Sequence, residues 1–283
     1  MSFWKTIIYR WNKEELQKWP SIKKTAYLLL PLLVYFAVND IAEVCLWILT
    51  EFLINIGGEN MVYFLEQNAS TARGMINGAA VLIGAASVFP AVRNELQQEK
   101  KIDARKITSY CFLAGLAFCT AVSVNIFFYQ TGFTESSQGY DQVHRAQYGV
   151  QFAIGLVLYG IISPLAEEAV FRGLLYNRMK RCFNVKTALV FSSLLFGLYH
   201  GNAVQAVYGT ILGLLIAYSY ELYENFAAPL IFHAVANVSV YVMTYSSNQI
   251  LTDRKIALTL GMITFAAAIL VIIYIKKTYS QKK

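Results

Sequence analysis

Charge is scarce in this sequence. Only 14% of its 283 residues are Asp, Glu, Lys or Arg, while 57% are hydrophobic and the mean hydropathy is +0.45. A soluble domain carries roughly 25% charged residues, so water cannot be the solvent of most of this surface. Lipid can. Four cysteines, Cys45, Cys111, Cys119 and Cys182, stand without any CxxC spacing, which argues against a disulfide framework or a zinc knuckle. No secretory leader is legible either, because about 24 mixed, charged residues precede the first long apolar run. Internal repeats, low-complexity tracts and long linkers are absent from the pattern, and only three histidines occur in the whole chain.

What is abundant is apolar sequence in runs of spanning length. A membrane helix needs about 20 mostly apolar residues, and candidates lie near 25–55, 74–92, 107–130, 147–176, 186–204, 205–222, 227–246 and 256–275. The reading is an all-α, polytopic transmembrane helix bundle of about eight helices, forming a single integral membrane domain over 1–283. The first run is interrupted by Asn39, Asp40, Glu43 and Glu51, read as an amphipathic face of a tilted helix or as a second polar site. The fifth and sixth runs are separated only by Gly201-Asn202, a tight turn or a re-entrant bend. The 131–146 connection is the longest polar one, with His144 as a solvated loop residue.

The net charge of +7 is distributed for topology. Twenty of the 24 Lys and Arg residues fall in 1–24, 93–106, 172–186 and 276–283, on one side of an eight-span arrangement. The positive-inside rule then places both termini in the cytoplasm. A nucleic-acid partner would want a basic face interleaved with exposed aromatics on a folded domain, and none is expected. The lipid bilayer is the expected partner, and short loops with lysine-rich tails suggest a bacterial cell membrane.

Against this background the polar residues inside the runs stand out, because ionisable groups in a membrane are costly and default to function. ISPLAEEAVFRGLLYNRM places Glu167, Glu168 and Arg172 in the fourth run. Glu168 and Arg172 are spaced i,i+4 with the acid on the N-terminal side, the favourable order for an ion pair. Glu167 projects about 100° away from Glu168, and two adjacent carboxylates push one of the pair toward a higher pKa, suited to a general base. Pro164 lies three residues earlier, where it can kink the helix. FGLYH ends at His200 in the fifth run, and His233 with Asn237 share one face of the seventh. His233 lies about six residues into its run, roughly 9 Å deep, while His200 lies near fourteen, so their depths disagree. Taken singly, His200, and likewise His233 with Asn237, is better read as an interhelical hydrogen bond, and Glu168-Arg172 as a buried ion pair locking helices.

Together the motifs EExxxR (Glu167, Glu168, Arg172), FxxxH (Phe196, His200) and HxxxN (His233, Asn237) resemble those of the CAAX-protease and bacteriocin-processing family, also called CPBP or Abi, which includes type II prenyl-protein endopeptidases. The likeness covers roughly 150–245, the region of the catalytic motifs; the N-terminal half carries none. It implies an eight-helix intramembrane protease open to the cytoplasmic side. In that reading Glu167 and His200 activate a water, His233 and Asn237 donate to the oxyanion, and Glu168, Arg172 and Phe196 support them. The substrate would be a membrane-associated peptide or protein, such as a leader peptide or bacteriocin precursor. A carboxylate with two histidines also matches a catalytic zinc shell, so the same Glu167, His200 and His233 leave open a divalent metal or none. Two rival classes share these residues: a proton-coupled transporter, and a non-catalytic immunity or scaffold protein.

Overall fold

The computed structural model describes residues 3–97, 107–246 and 253–280. The basic connection within 98–106, counted above toward one face, lies outside them, as does part of the C-terminal tail. Among the described residues every regular element is a helix. Seven of these helices are long and apolar enough to cross a membrane, and an eighth, shorter apolar helix matches the fifth expected run. Large apolar side chains such as Leu33, Ile48, Phe52 and Leu270 stand 59–69% exposed. In water that surface would be untenable; in hydrocarbon it is the expected exterior.

The chain divides into two compact units, Met1–Gln97 with Arg145–Val185, and Gln98–His144 with Lys186–Lys283. The first opens with two short helices, α1 (Phe3–Ile8) and α2 (Lys13–Gln17). Asn12 caps α2 by accepting from the Glu15 N–H at 2.8 Å, and Glu15 accepts in return from the Asn12 N–H. Helix α3 (Ser21–Gln67) extends well beyond the expected 25–55 and is broken at Gly58, whose φ of 61° leaves the helical region. Along α3, Asp40 and Glu51 are exposed. Helix α4 (Ala69–Leu96) packs on α3 and on α7 (Phe152–Cys182) through small residues. A Cβ at Gly84 would sit 3.1 Å from the Tyr35 carbonyl oxygen, and one at Gly78 would strike Leu158. Small residues let membrane helices approach this closely.

The second unit holds α5 (Ile107–Gln130), α8 (Val185–Tyr199), α9 (Ala203–Tyr223), α10 (Ala227–Ser246) and α11 (Arg254–Ser280). Leu113, Leu116 and Ala117 of α5 meet Leu212 and Ile216 of α9 and Phe232 and Ala236 of α10 in its core. Helix α8 has 15 residues, about 22 Å of helix, short of the roughly 30 Å hydrocarbon thickness. It ends before the expected 204 because Gly201 turns the chain with φ 73°. Asn202 then caps α9 by accepting from the Gln205 N–H at 2.9 Å. The boundary is therefore a tight turn.

Other expectations change too. The polar 131–146 connection contains helix α6 (Gln138–Tyr148). His144 lies on it, half-buried, with its ring 5.9 Å from that of Tyr140. Burial holds its imidazole below the usual histidine pKa, with Asp141 opposing. Cys182 ends α7 and is buried.

Candidate active site

The site residues begin in α7, whose backbone is irregular for a stated reason. Pro164 has no N–H to close an ordinary turn. The helix answers with wide i→i+5 turns over Leu158–Ile162, an α-helical stretch over Ser163–Glu168, and wide turns again over Ala169–Tyr176. Such turns are rare in helices and concentrate where side chains must be re-aimed.

Within this frame the two adjacent carboxylates go separate ways. Glu168 accepts from Arg172 Nη1 at 2.7 Å, and both side chains are fully buried. Glu167, 7% exposed, accepts from the Ser163 hydroxyl at 2.5 Å. Glu168 thus shares a direct salt bridge with Arg172, and Glu167 is held by a hydroxyl one turn earlier in the same helix. Ser163 is not singled out by the motif pattern; the signal was there in its i,i−4 spacing to Glu167.

The histidines sit in the second unit, at the α8–α9 turn and on α10. His200 Nδ1 lies 2.9 Å from the Phe196 carbonyl oxygen. A carbonyl only accepts, so Nδ1 carries the hydrogen, and the neutral ring keeps its lone pair on Nε2. The ring of Phe196, 2% exposed, stands edge-on to both imidazoles, with centroids 5.1 Å from His200 and 5.5 Å from His233 at nearly perpendicular angles. The two rings expected at different depths thus flank one aromatic, because α8 is short and His200 lies at its end. His233 is 4% exposed and Asn237 half-buried. Asn202 adds a further hold on the turn, donating from Nδ2 to the His200 carbonyl at 3.2 Å.

Close packing keeps that turn in place. A Cβ at Gly197 would lie 2.3 Å from both the Ala206 carbonyl oxygen and Thr210 Oγ1. At Gly209 it would meet the Gly197 Cα at 3.1 Å and His200 Nδ1 at 3.6 Å. Helices α8 and α9 touch backbone to backbone beneath the imidazole.

A zinc shell needs three protein ligands gathered around one point. Among the described residues, neither unit by itself gathers three His, Cys, Asp or Glu side chains able to hold a metal. His200 and His233 flank Phe196 without a third donor in their unit, so the residues as each unit places them do not make such a centre.

The larger polar cluster lies elsewhere and was not legible. Glu95, 3% exposed, receives Arg178 Nε at 3.1 Å, Arg181 Nη2 at 2.7 Å and the Tyr27 hydroxyl at 3.3 Å. Arg10 stands at 3.6 Å. Arg178 also donates to the Tyr27 carbonyl at 2.8 Å, the Thr6 carbonyl at 3.3 Å and the Ile7 carbonyl. Arg181 Nε holds the Trp11 carbonyl at 3.1 Å. The N-terminal segment is thereby tied to the end of α7.

Comparison with known proteins meets the same stretch of chain. Residues 149–239 match the family described as Type II CAAX prenyl endopeptidase Rce1-like. A Bacillus subtilis (strain 168) protein named "Putative membrane peptidase YdiL" is 22% identical over 184 residues, covering 63% of this chain and 75% of that protein. No solved structure matches. The matched residues include all of EExxxR, FxxxH and HxxxN, and over them the chain is similar to the Rce1-like type II CAAX prenyl endopeptidase family.

Proposed function

We propose that the protein is an intramembrane endopeptidase in which Glu167 and His200 activate a water for attack on a scissile peptide carbonyl. His233 and Asn237 donate hydrogen bonds to the oxyanion that forms. The observation that carries this reading is the assignment of roles by donor type. The Phe196 carbonyl holds the hydrogen on His200 Nδ1, so Nε2 is an acceptor. Glu167 faces a hydroxyl donor while Glu168 is neutralised by Arg172. One imidazole and one carboxylate are therefore poised to accept protons. A positioned base contributes roughly 10²–10⁴-fold, and each oxyanion donor roughly 10²–10³-fold.

Arg172 and Glu168 act by position: the buried pair keeps the second carboxylate from competing for the water's proton. The substrate class is a membrane-associated peptide or the membrane-proximal segment of a protein, with leader peptides and peptide precursors as the best-fitting members in a bacterial cell. The basic segments place both termini in the cytoplasm, which a C-terminal reporter active only in the cytoplasm reads directly.

The decisive experiment compares membrane peptides and small membrane proteins between cells carrying wild type and Glu167→Ala. Uncleaved precursors accumulate with Glu167→Ala and equally with His200→Ala, and rates fall at least 10²-fold. Unchanged profiles in both variants refute the reading. Metal analysis of the purified protein, with Glu167→Gln alongside, tests the zinc alternative.

A further inference from the structure

We infer that residues 3–24 form a docking surface for the anionic phospholipid headgroups of the leaflet beside them. Two observations meet there: exposed aromatic side chains and unbalanced positive charge. Of the four tryptophans in the chain, Trp4, Trp11 and Trp19 lie in the first nineteen residues. Helix α1 buries only Thr6 and Ile7, and α2 only Leu16, while Phe3, Trp4 and Tyr9 stay more than half exposed. From Tyr9 the rings run in edge contact through Trp11 and Trp19 to Tyr27, with centroids 4.7, 5.1 and 5.8 Å apart. Amphipathic rings of this kind settle at the headgroup level of a bilayer.

The neighbouring helix says where the segment lies. Ile22, Leu29 and Leu33 of α3 are exposed and share one helix face, a strip about 16 Å long. That strip is lipid-facing surface, and the segment sits at its head, where hydrocarbon gives way to headgroups. Helix α1 packs on α3 and α4, and α2 packs on the end of α7, so the segment is held there.

Charge then selects the lipid. Residues 3–24 hold six bases against Glu14 and Glu15, and Glu15 is engaged in capping α2. Lys13 and Lys18 are exposed, and Lys23 Nζ lies 4.0 Å over the Trp19 ring. Glu95 is already shared among Arg10, Arg178 and Arg181. The sequence 98–106, outside the described residues, brings four bases and two acids, so it adds no net negative charge. An anionic headgroup supplies what is missing, with phosphate oxygens for the lysine ammonium groups and acyl chains beside the exposed rings. Topology alone asks for bases on one side; it asks for neither the rings nor the attachment. A soluble acidic peptide would match the charge but not the continuation of this apolar surface into the span.

The test uses the full-length protein in vesicles and reads the segment's own tryptophans. Trp47→Phe removes the one tryptophan outside the segment, and phosphatidylglycerol or phosphatidylcholine with brominated chains quenches the remaining fluorescence. At equal mole fraction the brominated phosphatidylglycerol is preferred by about fivefold or more, and high salt abolishes the preference. Lys13→Gln combined with Lys18→Gln brings the two lipids close to equal, while Lys255→Gln, exposed in the other unit, leaves the preference unchanged. Equal quenching by the two lipids without the lysine changes, or a preference that the double variant leaves intact, overturns the inference. So does a segment that neither lipid quenches and only an acidic peptide perturbs. None of these readings depends on cleavage, so the outcome is independent of the role proposed for Glu167.

Discussion

At the scale of single residues, α7 shows two ways to keep a carboxylate in an apolar helix. Glu168 is held by Arg172, and nothing of either side chain reaches the surface. Removing one partner of such a pair strands a buried charge, which costs about 3–5 kcal/mol. Arg172→Met is therefore expected to lower the denaturation midpoint sharply in detergent. Arg172→Met combined with Glu168→Leu should recover much of the loss, because no charge is then stranded. A double variant no more stable than Arg172→Met would show that Glu168 does not depend on Arg172. This pair was legible from i,i+4 spacing alone, as was the separation of Glu167 from it. Ser163 was equally spaced from Glu167 yet unread, since serine is so common in helices that one hydroxyl carries little signal. The Nδ1 hydrogen of His200 was beyond reach, because it depends on where the Phe196 carbonyl ends up at the end of a helix.

Among the helices, the runs of apolar residues located the seven long enough to cross a membrane and the shorter α8, and the structure moved mainly their ends. Ends depend on single backbone choices: Gly58 and Gly201 each adopt positive φ, and such choices leave little trace in hydropathy. The shortness of α8 is the change that matters most, because it puts His200 at a turn beside Phe196 and brings both imidazoles to one aromatic. The contact of α8 with α9 holds this turn through Gly197. A methyl there would collide with the Ala206 carbonyl and Thr210, and backbone cannot yield as a flexible side chain can. Gly197→Ala should destabilise the protein by about 1–3 kcal/mol and reduce cleavage per folded molecule as His200 shifts. Gly115→Ala in α5, where the added carbon meets nothing within 4 Å, is the matched control. Equal melting midpoints and equal rates for the two variants would remove the α8–α9 contact from the account of the site.

For the molecule as a whole, charge distribution was read as topology, and the structure gives part of it a second task. Arg178 and Arg181 belong to the basic segment 172–186 and Arg10 to the segment 1–24, yet all three converge on Glu95. Their separations in sequence, 83 residues from Glu95 to Arg178 and 86 to Arg181, explain why no local pattern announced the cluster. The N-terminal segment buries Ile7 and Leu16, while Phe3 and Trp4 each stay more than half exposed. The polar part of its attachment is the meeting of the Thr6, Ile7 and Trp11 carbonyls with guanidinium groups that Glu95 holds in place. Glu95→Gln leaves those guanidinium groups without their carboxylate in a buried site, a change of the several-kcal/mol class. The segment should then detach locally before the membrane helices unfold, since weakly packed elements open first. Limited trypsin digestion of the protein in lipid vesicles measures this: cleavage after Arg10, Lys13 or Lys18 should accelerate severalfold in Glu95→Gln. The exposed substitution Glu14→Gln should leave the rate unchanged. If Glu95→Gln is cut no faster than wild type, the attachment rests on the backbone contacts alone and the carboxylate is dispensable to it.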